Sequence, residues 1–535
     1  MNAGVMRIPR ATWWVVVAAY LLPLVFAVPV MEDDEGLHAA IAQEMVERGD
    51  WTVPRLMGEP FLDKPVLYFW MQAASLTVLG QSELSVRLPG TLMALAGVWA
   101  IGWLAGRMFG TNAGRWAALC YATMLLPYGV SLVPLHDLVM VPLTIVAFGA
   151  LWHARHAAST ASVVRWTALA GVALGLSLLG KGLTGLGLVG IGVVVWLLWT
   201  RAVSWRLVIA GSAAVLLAAS LAWPWYAAME RASPGYLHYY FLQRHLGGLT
   251  ENTQPHAGRA FWYYVPIFVV GTWPWLIYLR RLERPPTDAE RLIWCWLAAD
   301  VVLLSVAGSK LETYILPSMP AAAALAAVWL ARGPASGRSR TMAFWASTIT
   351  AFLPLAALVF LAQRHETSSV GLTWTLLAST PLAALLWTSV GSRRISWAGA
   401  PQLAFVTAAT LLAASLSVRP LAATELTARD LAQQFNRAGV LPRTILIVDE
   451  GIGSFIFYLR PELRQGLTPD RVRRISRAAL LDDPDTNGVM VAVAADRAPG
   501  LAALYDFPVP ARAALGTYLI VPLAAFKPKA PDSTP

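Results

Sequence analysis

The sequence Glu32-Asp33-Asp34-Glu35 places four acids in a row directly after the first long apolar run of the chain. It opens a polar segment, residues 31–85, that holds ten acids and three basic residues, whereas the surrounding sequence is almost uniformly apolar. Such a concentration of charge in an otherwise apolar part of the chain needs a functional reason. We therefore interpret this segment as the active-site loop of an integral membrane enzyme.

The composition is that of a membrane protein. Hydrophobic residues make up 57% and charged residues 13% of the chain, and the mean hydropathy is +0.55, far from soluble averages. Runs of about 20 apolar residues are long enough to cross a bilayer as helices. About thirteen such spans are predicted, at 11–30, 86–106, 114–132, 138–154, 163–180, 183–200, 206–225, 261–279, 291–308, 314–331, 342–361, 371–391 and 398–418. The predicted fold class is a polytopic α-helical membrane protein, with too many spans for a mere anchor.

The distribution of arginine predicts the orientation of these spans. If Arg7 and Arg10 lie in the cytoplasm, every later inside turn is basic, whereas the outside loops are acidic or mixed. This alternation is the positive-inside pattern. It explains much of the net charge of +10 without nucleic acid. The polar loop and the chain after the last span then face the outside.

Within the first loop, two helices are predicted. Residues 35–47 have an amphipathic pattern with Leu37, Ile41 and Met45 on one face, following Asp34 at the N-cap position. A second apolar helix runs from Pro65 to Leu79, too short for a span, so we expect an interfacial or re-entrant helix. Counting it as a span would invert every later loop.

The character of the chain changes near residue 421. Short β-rich runs are predicted at 444–448, 454–459, 488–494 and 517–521, alternating with helices at 427–438 and 471–481. We therefore expect residues 1–420 to form the transmembrane domain, including the outer loops 31–85 and 226–260. Residues 421–535 are expected to form a small outer α/β domain.

Acids from two different outer segments suggest catalysis. Asp34 and Glu35 could serve only as a helix cap and a dipole-favoured acid, which stabilises by roughly 0.5–2 kcal/mol. That reading leaves the other acids of the loop and the isolated Asp137, at the outer mouth of another span, unexplained. Two carboxylates from different spans suit the handling of a sugar or an activated anomeric carbon.

Four outer turns each supply a cation: Lys64, Lys181, Arg259 and Lys310. Any one of them alone is better explained as a headgroup anchor. Together they predict a clamp for a phosphate leaving group or acceptor, because fixed cations stabilise negative charge as it develops.

A metal site is only weakly indicated. His245 and His256 lie in one outer loop, yet neither has the spacing of a known metal motif. Cys120 and Cys295 both fall inside predicted spans, so neither a disulfide framework nor a paired-cysteine site is expected.

The first loop resembles that of bacterial aminoarabinose (lipid A) transferases, members of the protein O-mannosyltransferase-related GT-C membrane glycosyltransferases. The matching residues in the loop are Asp34-Glu35, His38-Ala39, Ile41-Ala42, Glu44-Met45, Gly49-Asp50-Trp51, Pro54-Arg55-Leu56, Gly58, Lys64-Pro65, Leu67 and Trp70. Further matches are Asp137, Gly180-Lys181-Gly182, Pro224-Trp225-Tyr226, Lys310-Leu311 and Thr313-Tyr314-Ile315-Leu316-Pro317. The resemblance covers the whole chain.

This resemblance implies transfer of a sugar, typically 4-amino-4-deoxy-L-arabinose, from undecaprenyl phosphate to a phosphate of lipid A, which confers polymyxin resistance. It implies a monomer in the bacterial inner membrane with its site and C-terminal domain in the periplasm. Asp34, Asp137 and Lys64 are the implied catalytic residues. The implied substrate or phosphate contacts are Glu35, His38, Lys181, Tyr240, Arg259, Lys310 and Tyr314. No cofactor is required, although Asp63 and His256 could hold a divalent ion such as zinc.

The sequence departs from the family at two places. The family commonly has Asp-Glu-Thr-Arg-Tyr where this chain has Asp34-Glu35-Gly36-Leu37-His38, and Glu312 replaces a common proline. The sugar and acceptor therefore stay open, with transfer to protein Ser/Thr or another glycan as the alternative. Asp34 acts as a base if the acceptor is a hydroxyl, and orients the acceptor or stabilises the sugar cation if it is a phosphate. A flippase is a more distant alternative, disfavoured because the charges cluster at one membrane face.

Overall fold

The structure is a computed structural model that describes residues 7–26, 28–247, 258–279, 286–332, 337–364, 372–390, 399–480, 488–495, 497–507 and 518–528. The chain divides into two compact units. Met1–Phe26, Leu62–Tyr68 and Arg87–Val418 form one, here called the membrane unit. Ala27–Phe61, Phe69–Val86 and Arg419–Pro535 form the other, here called the α/β unit.

Helices dominate the membrane unit. The α-helices that lie wholly or mostly in it are Arg10–Val25, Glu83–Phe109, Thr111–Thr123, Leu125–Ser131, His136–His156, Thr160–Lys181, Leu183–Trp199, Trp205–Ala232, Tyr264–Gly271, Asp288–Val306, Met319–Arg332, Gly337–Arg364, Leu372–Val390 and Ala400–Glu425. A π-helix, His238–Leu246, and three 3₁₀ segments, Phe261–Tyr263, Trp275–Tyr278 and Glu312–Ser318, complete it. Among the described residues, seven helices are long and apolar enough to cross a membrane.

Each of the thirteen predicted spans contains helix, but some are interrupted. The segment 114–132 breaks at Met124, whose backbone is extended. The segment 261–279 breaks between Gly271 and Trp275, around Pro274, because proline has no backbone N–H to continue the helical ladder. The break at Met124 cannot be seen in the apolar composition, which is the same on both sides of it.

The ends of the helices that carry polar side chains are fixed by packing. The Tyr226 hydroxyl donates a hydrogen bond of 2.9 Å to the Leu178 carbonyl, one turn before the end of the Thr160–Lys181 helix. Deeper in the unit, the rings of Phe148 and Trp296 stack with centroids 4.3 Å apart. The contact of Tyr226 holds the helix end that presents Lys181.

The α/β unit is built on a four-stranded sheet. In spatial order its strands are Val472–Ile475, Thr444–Val448, Val489–Ala494 and Tyr518–Pro522. The first three are parallel to one another, and the last pairs antiparallel. The other elements are the helices Asp34–Arg48, Leu67–Leu79, Arg429–Ala438, Gly453–Tyr458, Pro461–Arg464 and Ala498–Ala502, the 3₁₀ turns Arg477–Ala479 and Leu523–Ala525, and the short strand pairs Arg55–Leu56 with Glu59–Pro60 and Tyr505–Asp506 with Lys527–Pro528.

Three of the predicted β runs are strands, but two other predictions were wrong. Residues 454–459 form a helix, Gly453–Tyr458, rather than a strand. Residues 471–481 form the edge strand Val472–Ile475 and a 3₁₀ turn rather than a helix. A short apolar run fits a buried helix and a buried strand equally well, and only its tertiary partners decide between them.

The first loop packs mainly with C-terminal residues. Residues 31–85 were expected to belong with the transmembrane domain, whereas most of them pack with the C-terminal residues in the α/β unit. The reason is apolar burial: Val30, Ala39, Leu76 and Val86 share one core cluster with Phe457. Burial of this kind is worth about 25 cal/mol per Å² of apolar surface.

Candidate active site

A cavity of about 340 Å³ lies in the membrane unit. Charged and polar side chains line part of it: Asp63, Lys64, Lys181, Thr184, Tyr240, Arg244, His245, Ser309 and Tyr314. The rest is lined by Leu183, Gly187, Leu188, Ile191, Phe241, Leu246, Leu303, Leu304 and Ala307. The lining positions of the Leu183–Trp199 helix recur at helical spacing and extend over roughly 12 Å at 1.5 Å per residue. The cavity therefore combines a cationic region with a long apolar wall, which suits an amphiphilic anion.

Lys181 and Asp137 form a buried ion pair beside this cavity. Lys181 ends the Thr160–Lys181 helix, and Asp137 lies in the first turn of the His136–His156 helix. The Lys181 ammonium donates to Asp137 Oδ1, and both side chains are about nine-tenths enclosed, with exposures of 10% and 7%. The Lys181 Nζ also lies 4.3 Å from the centroid of the Tyr314 ring. Three of the predicted site residues thus meet at one point.

The turn after Lys181 is fixed by a histidine. Gly182 has φ +64° and ψ −145°, a conformation that only glycine adopts readily. His245 Nε2 accepts a hydrogen bond of 3.1 Å from the Leu183 N–H, so the ring proton is assigned to Nδ1, which donates to the Tyr240 carbonyl at 3.0 Å. Burial lowers the pKa of His245. A neutral His245 with both nitrogens engaged holds the turn rather than binding a metal.

Asp63 is paired with two residues of the π-helix. Its Oδ1 accepts a hydrogen bond from the Tyr239 hydroxyl and lies 3.5 Å from Arg244 Nε. Burial and the bond to Asp63 raise the pKa of Tyr239 to about 12, so the hydroxyl keeps its proton and donates. In a π-helix, residues five apart lie one turn apart. Tyr239 and Arg244 therefore present to Asp63 from the same side.

Lys64 lies in a cationic environment. Burial, together with the positive charges of Lys181 and Arg244, lowers the pKa of Lys64 to about 8, against the opposing effect of Asp137 and Asp63. The two neighbouring cations repel the charged form of Lys64, and a bound anion would offset this repulsion. Lys64, Lys181 and Arg244 are here called the cation cluster.

The other two predicted clamp cations lie outside the cavity lining. Arg259 pairs with Glu312 at 2.8 Å and contacts the Tyr263 hydroxyl. Lys310 is buried and donates to the carbonyls of Ala307 at 2.6 Å and Arg259 at 3.3 Å. The structure gives both a local structural role, and their predicted contact with phosphate stays a prediction.

Two predicted acids of the first loop, Asp34 and Glu35, lie in the α/β unit together with His38. Asp34 is exposed and is the first residue of the Asp34–Arg48 helix, so the N-cap is Asp33 rather than Asp34. Glu35 is buried, and its Oε2 accepts a hydrogen bond of 2.9 Å from the Met31 N–H. His38 is buried with its ring 5.5 Å from that of Phe69. Only Asp34 of these three presents its side chain to solvent.

Asp63 was predicted as one of the two residues of a divalent metal site. Asp63 already accepts from Tyr239 and faces Arg244, and no group of three His, Cys, Asp or Glu side chains occurs within the described part of the chain. The predicted partner His256 lies outside the described residues.

Parts of the chain and its fold are similar to those of known proteins. Residues 63–227 match the family described as dolichyl-phosphate-mannose-protein mannosyltransferase. The structure resembles that of ArnT from Cupriavidus metallidurans bound to undecaprenyl phosphate, with a TM-score of 0.76 and 21% identity. The match covers 95% of this chain and 96% of the ArnT chain. The apo structure of the same protein gives a TM-score of 0.75 at 22% identity, covering 97% of this chain and 99% of that one.

The chain has the fold of ArnT. The predicted polytopic GT-C membrane fold is therefore confirmed. The resemblance drawn from the first loop is confirmed as well, because the curated relatives are undecaprenyl phosphate-α-4-amino-4-deoxy-L-arabinose arabinosyl transferases. The one from Pectobacterium carotovorum is 30% identical over 62% of this chain and 60% of its own length. The one from Sodalis glossinidius is 31% identical over 59% of this chain and 58% of its own length. The matched region thus spans less than two thirds of these relatives.

Sequence reasoning missed Arg244 as a site residue, together with Tyr239 and Ser309. In an α-helix, two residues five apart are separated by well over one turn and point to different sides, whereas in a π-helix they lie about one turn apart. The common side of Tyr239 and Arg244 therefore follows only from the π-helix. The signal available in the sequence was the aromatic pair Tyr239-Tyr240, five residues before the pair Arg244-His245.

Proposed function

We propose that this protein is a membrane glycosyltransferase that moves 4-amino-4-deoxy-L-arabinose from undecaprenyl phosphate to a phosphate of lipid A at the periplasmic face of the bacterial inner membrane. One observation carries the proposal: a single cavity joins the cation cluster of Lys64, Lys181 and Arg244 to an apolar helical wall. The cations suit the donor's phosphate, and the wall suits its polyprenyl chain.

The cation cluster supplies the chemistry at the leaving group. Cleavage of the bond between the anomeric carbon and the phosphate oxygen leaves the electron pair on that oxygen, so negative charge on the phosphate increases. Preorganised cations stabilise such developing charge strongly in a site shielded from water. A polyprenyl phosphate is already a stable anion, so it leaves without a general acid.

The acceptor side needs less help when the acceptor is a phosphate. Its oxygen is already ionised at neutral pH, so it attacks the anomeric carbon without a base. Asp34 then orients the acceptor or stabilises the positive charge that develops on the sugar. Asp137 holds the Lys181 side chain in place through their ion pair. Attack opposite the leaving phosphate inverts the anomeric carbon; retained configuration in the product, assigned by NMR, would rule this step out.

Expression in a transferase-null Gram-negative strain tests the proposal. We expect the wild-type chain to restore polymyxin resistance and to add an aminopentose to lipid A by mass spectrometry. Asp34→Asn and Lys64→Ala should abolish both, whereas Glu59→Gln, an exposed acid in the same loop, should not. Membrane-inserted wild-type protein without any mass gain would reject this sugar or this acceptor.

A further inference from the structure

The four-acid stretch contains one residue that the proposed reaction does not use. Glu32 Oε1 accepts a hydrogen bond from the backbone N–H of Ser454, at the start of the Gly453–Tyr458 helix. The N–H of Glu32 donates to the Leu426 carbonyl at 2.6 Å. Burial raises the pKa of Glu32 to about 7. All these residues lie in the α/β unit, so the first loop is bonded to the C-terminal part of the chain.

The residues before Glu32 are held in the same way. The Thr427 hydroxyl donates to the Val30 carbonyl at 2.7 Å, and the Val30 N–H donates to the Tyr458 hydroxyl at 2.8 Å. That hydroxyl donates in turn to Glu83 at 2.8 Å. The backbone from Val30 to Glu32 is therefore fixed on both sides by C-terminal residues.

The residues after Asp34 are held by close backbone approach. A Cβ on Gly36 would lie 3.0 Å from the Gly453 carbonyl carbon and closer still to the Ser454 nitrogen. A Cβ on Gly453 would lie 2.7 Å from the Gly36 oxygen and closer to the Leu37 nitrogen. Real Cβ atoms do not approach backbone so closely. The first turns of two helices therefore touch through glycines, and no other residue fits at either position.

We propose that the C-terminal α/β domain positions Asp34 for the reaction, through a clasp formed by Glu32, Gly36, Gly453 and Ser454. Asp34 is exposed, and its own carboxylate is free of the packing that holds its neighbours. Its backbone is instead fixed at both sides, two residues before and two residues after. Glu32 is thus a positioning residue. This inference rests on the proposed function, since it assigns the clasp a purpose through Asp34.

Fixing the segment around Asp34 in advance has an energetic benefit. A loop that leaves a helix at a membrane edge has many conformations, and fixing each residue costs about 1–2 kcal/mol of entropy. When contacts fix the loop before the substrate binds, this conformational entropy is not lost during the reaction. A misplacement of about 1 Å at a reacting group can lower a rate by about 100-fold.

Three variants of Glu32 separate positioning from mere folding. Glu32→Ala removes the acceptor of the Ser454 N–H, and Glu32→Asp keeps the charge but is one methylene shorter. Glu32→Gln keeps an oxygen acceptor at full length. Glu59→Ala, an exposed acid in the same unit, is the control. The readouts are kcat and KM for the lipid-linked sugar with purified protein in liposomes, and hydrogen–deuterium exchange of residues 30–37.

We expect Glu32→Ala and Glu32→Asp to lower kcat by at least about tenfold with little change in KM, because misplacement acts on the chemical step. Exchange in residues 30–37 should rise in both variants while the protein stays folded. Glu32→Gln should restore both readouts, and Glu59→Ala should match the wild type. If Glu32→Ala fails to fold, the kcat and the exchange of residues 30–37 in Glu32→Asp test the inference.

Two results would overturn the inference. One is unchanged exchange in residues 30–37 for Glu32→Ala and Glu32→Asp. The other is raised exchange with unchanged kcat, which would show that the clasp does not serve the reaction. If the wild type transfers no sugar at all, the proposed function fails, and the exchange measurement alone then judges whether the clasp fixes this segment.

Discussion

Lys181 and Asp137 join the end of one helix to the start of another through a buried ion pair. Each charge also has the sign that its helix terminus favours, since a helix C-terminus attracts cations and an N-terminus attracts anions. The pair presents Lys181 to the cavity beside the ring of Tyr314. The stability of this ion pair therefore affects the shape of the candidate site.

Removing one partner should be far worse than removing both. Lys181→Met leaves a buried, unpaired carboxylate, which we expect to lower the free energy of unfolding by about 3–5 kcal/mol. Lys181→Met combined with Asp137→Leu should recover most of that loss, although sugar transfer stays abolished. Thermal unfolding in detergent measures this. Equal unfolding temperatures for the single variant and the wild type would contradict a buried pair.

Gly182 should tolerate no side chain. A Cβ there would meet the His245 ring and the Tyr240 hydroxyl, and the φ of +64° is unfavourable for other residues. We expect Gly182→Ala to cost about 1–3 kcal/mol and to reduce transfer sharply by displacing Lys181. Gly190→Ala is a matched control, because no atom lies within 4 Å of its added Cβ. Equal effects of the two substitutions would contradict this role for the turn.

The affinity for the donor phosphate should depend on pH through Lys64. Its pKa is lowered to about 8, so the ammonium is mostly charged at pH 7 and mostly neutral at pH 9. We expect undecaprenyl phosphate to bind more weakly as pH rises through this range, by a factor on the order of ten. Lys64→Arg should flatten the dependence, because arginine stays protonated.

Fluorescence or radioligand titration between pH 7 and pH 9 measures this dependence. An affinity for undecaprenyl phosphate that is the same at both pH values in the wild type would contradict the assignment of Lys64 to the phosphate. A dependence that persists in Lys64→Arg would point to a different titrating group.

Much of the membrane unit follows from the sequence alone. Apolar length locates the helices, and the arginine pattern gives an internally consistent orientation, because both depend on composition and not on distant partners. The ion pair of Asp137 and Lys181 could be anticipated only as convergence on one face. Contacts between distant parts of the chain could not be read at all. Glu32 and Ser454 are more than four hundred residues apart in the sequence, and no local pattern near either residue predicts their hydrogen bond.

The same limit explains the errors in the α/β unit. The helix Gly453–Tyr458 is as apolar as a strand because it is buried from several sides, among them by residues of the first loop. The strand Val472–Ile475 carries two exposed arginines because it lies at the sheet edge, where one side remains solvated. A local sequence pattern indicates whether a segment is buried, but it does not indicate whether the buried segment is a helix or a strand.

Sugar transfer should not need a divalent metal. We propose that Asp63 serves to hold Arg244, directly and through Tyr239, so chelation with EDTA should leave the rate unchanged within about twofold, since the charge on the phosphate is met by Lys64, Lys181 and Arg244. Asp63→Ala should lower the rate by at least about tenfold, and Tyr239→Phe should have a smaller effect. Loss of activity on chelation, with recovery on adding zinc or magnesium, would contradict this prediction.

The most direct test of the account uses purified protein in liposomes that contain lipid A and undecaprenyl phosphate-linked 4-amino-4-deoxy-L-arabinose, with the product followed by mass spectrometry. We predict that the wild type adds the mass of one aminopentose to lipid A, and that Asp34→Asn and Lys64→Ala add none. Folded wild-type protein that yields no modified lipid A, or Asp34→Asn protein that yields as much as the wild type, would contradict the account.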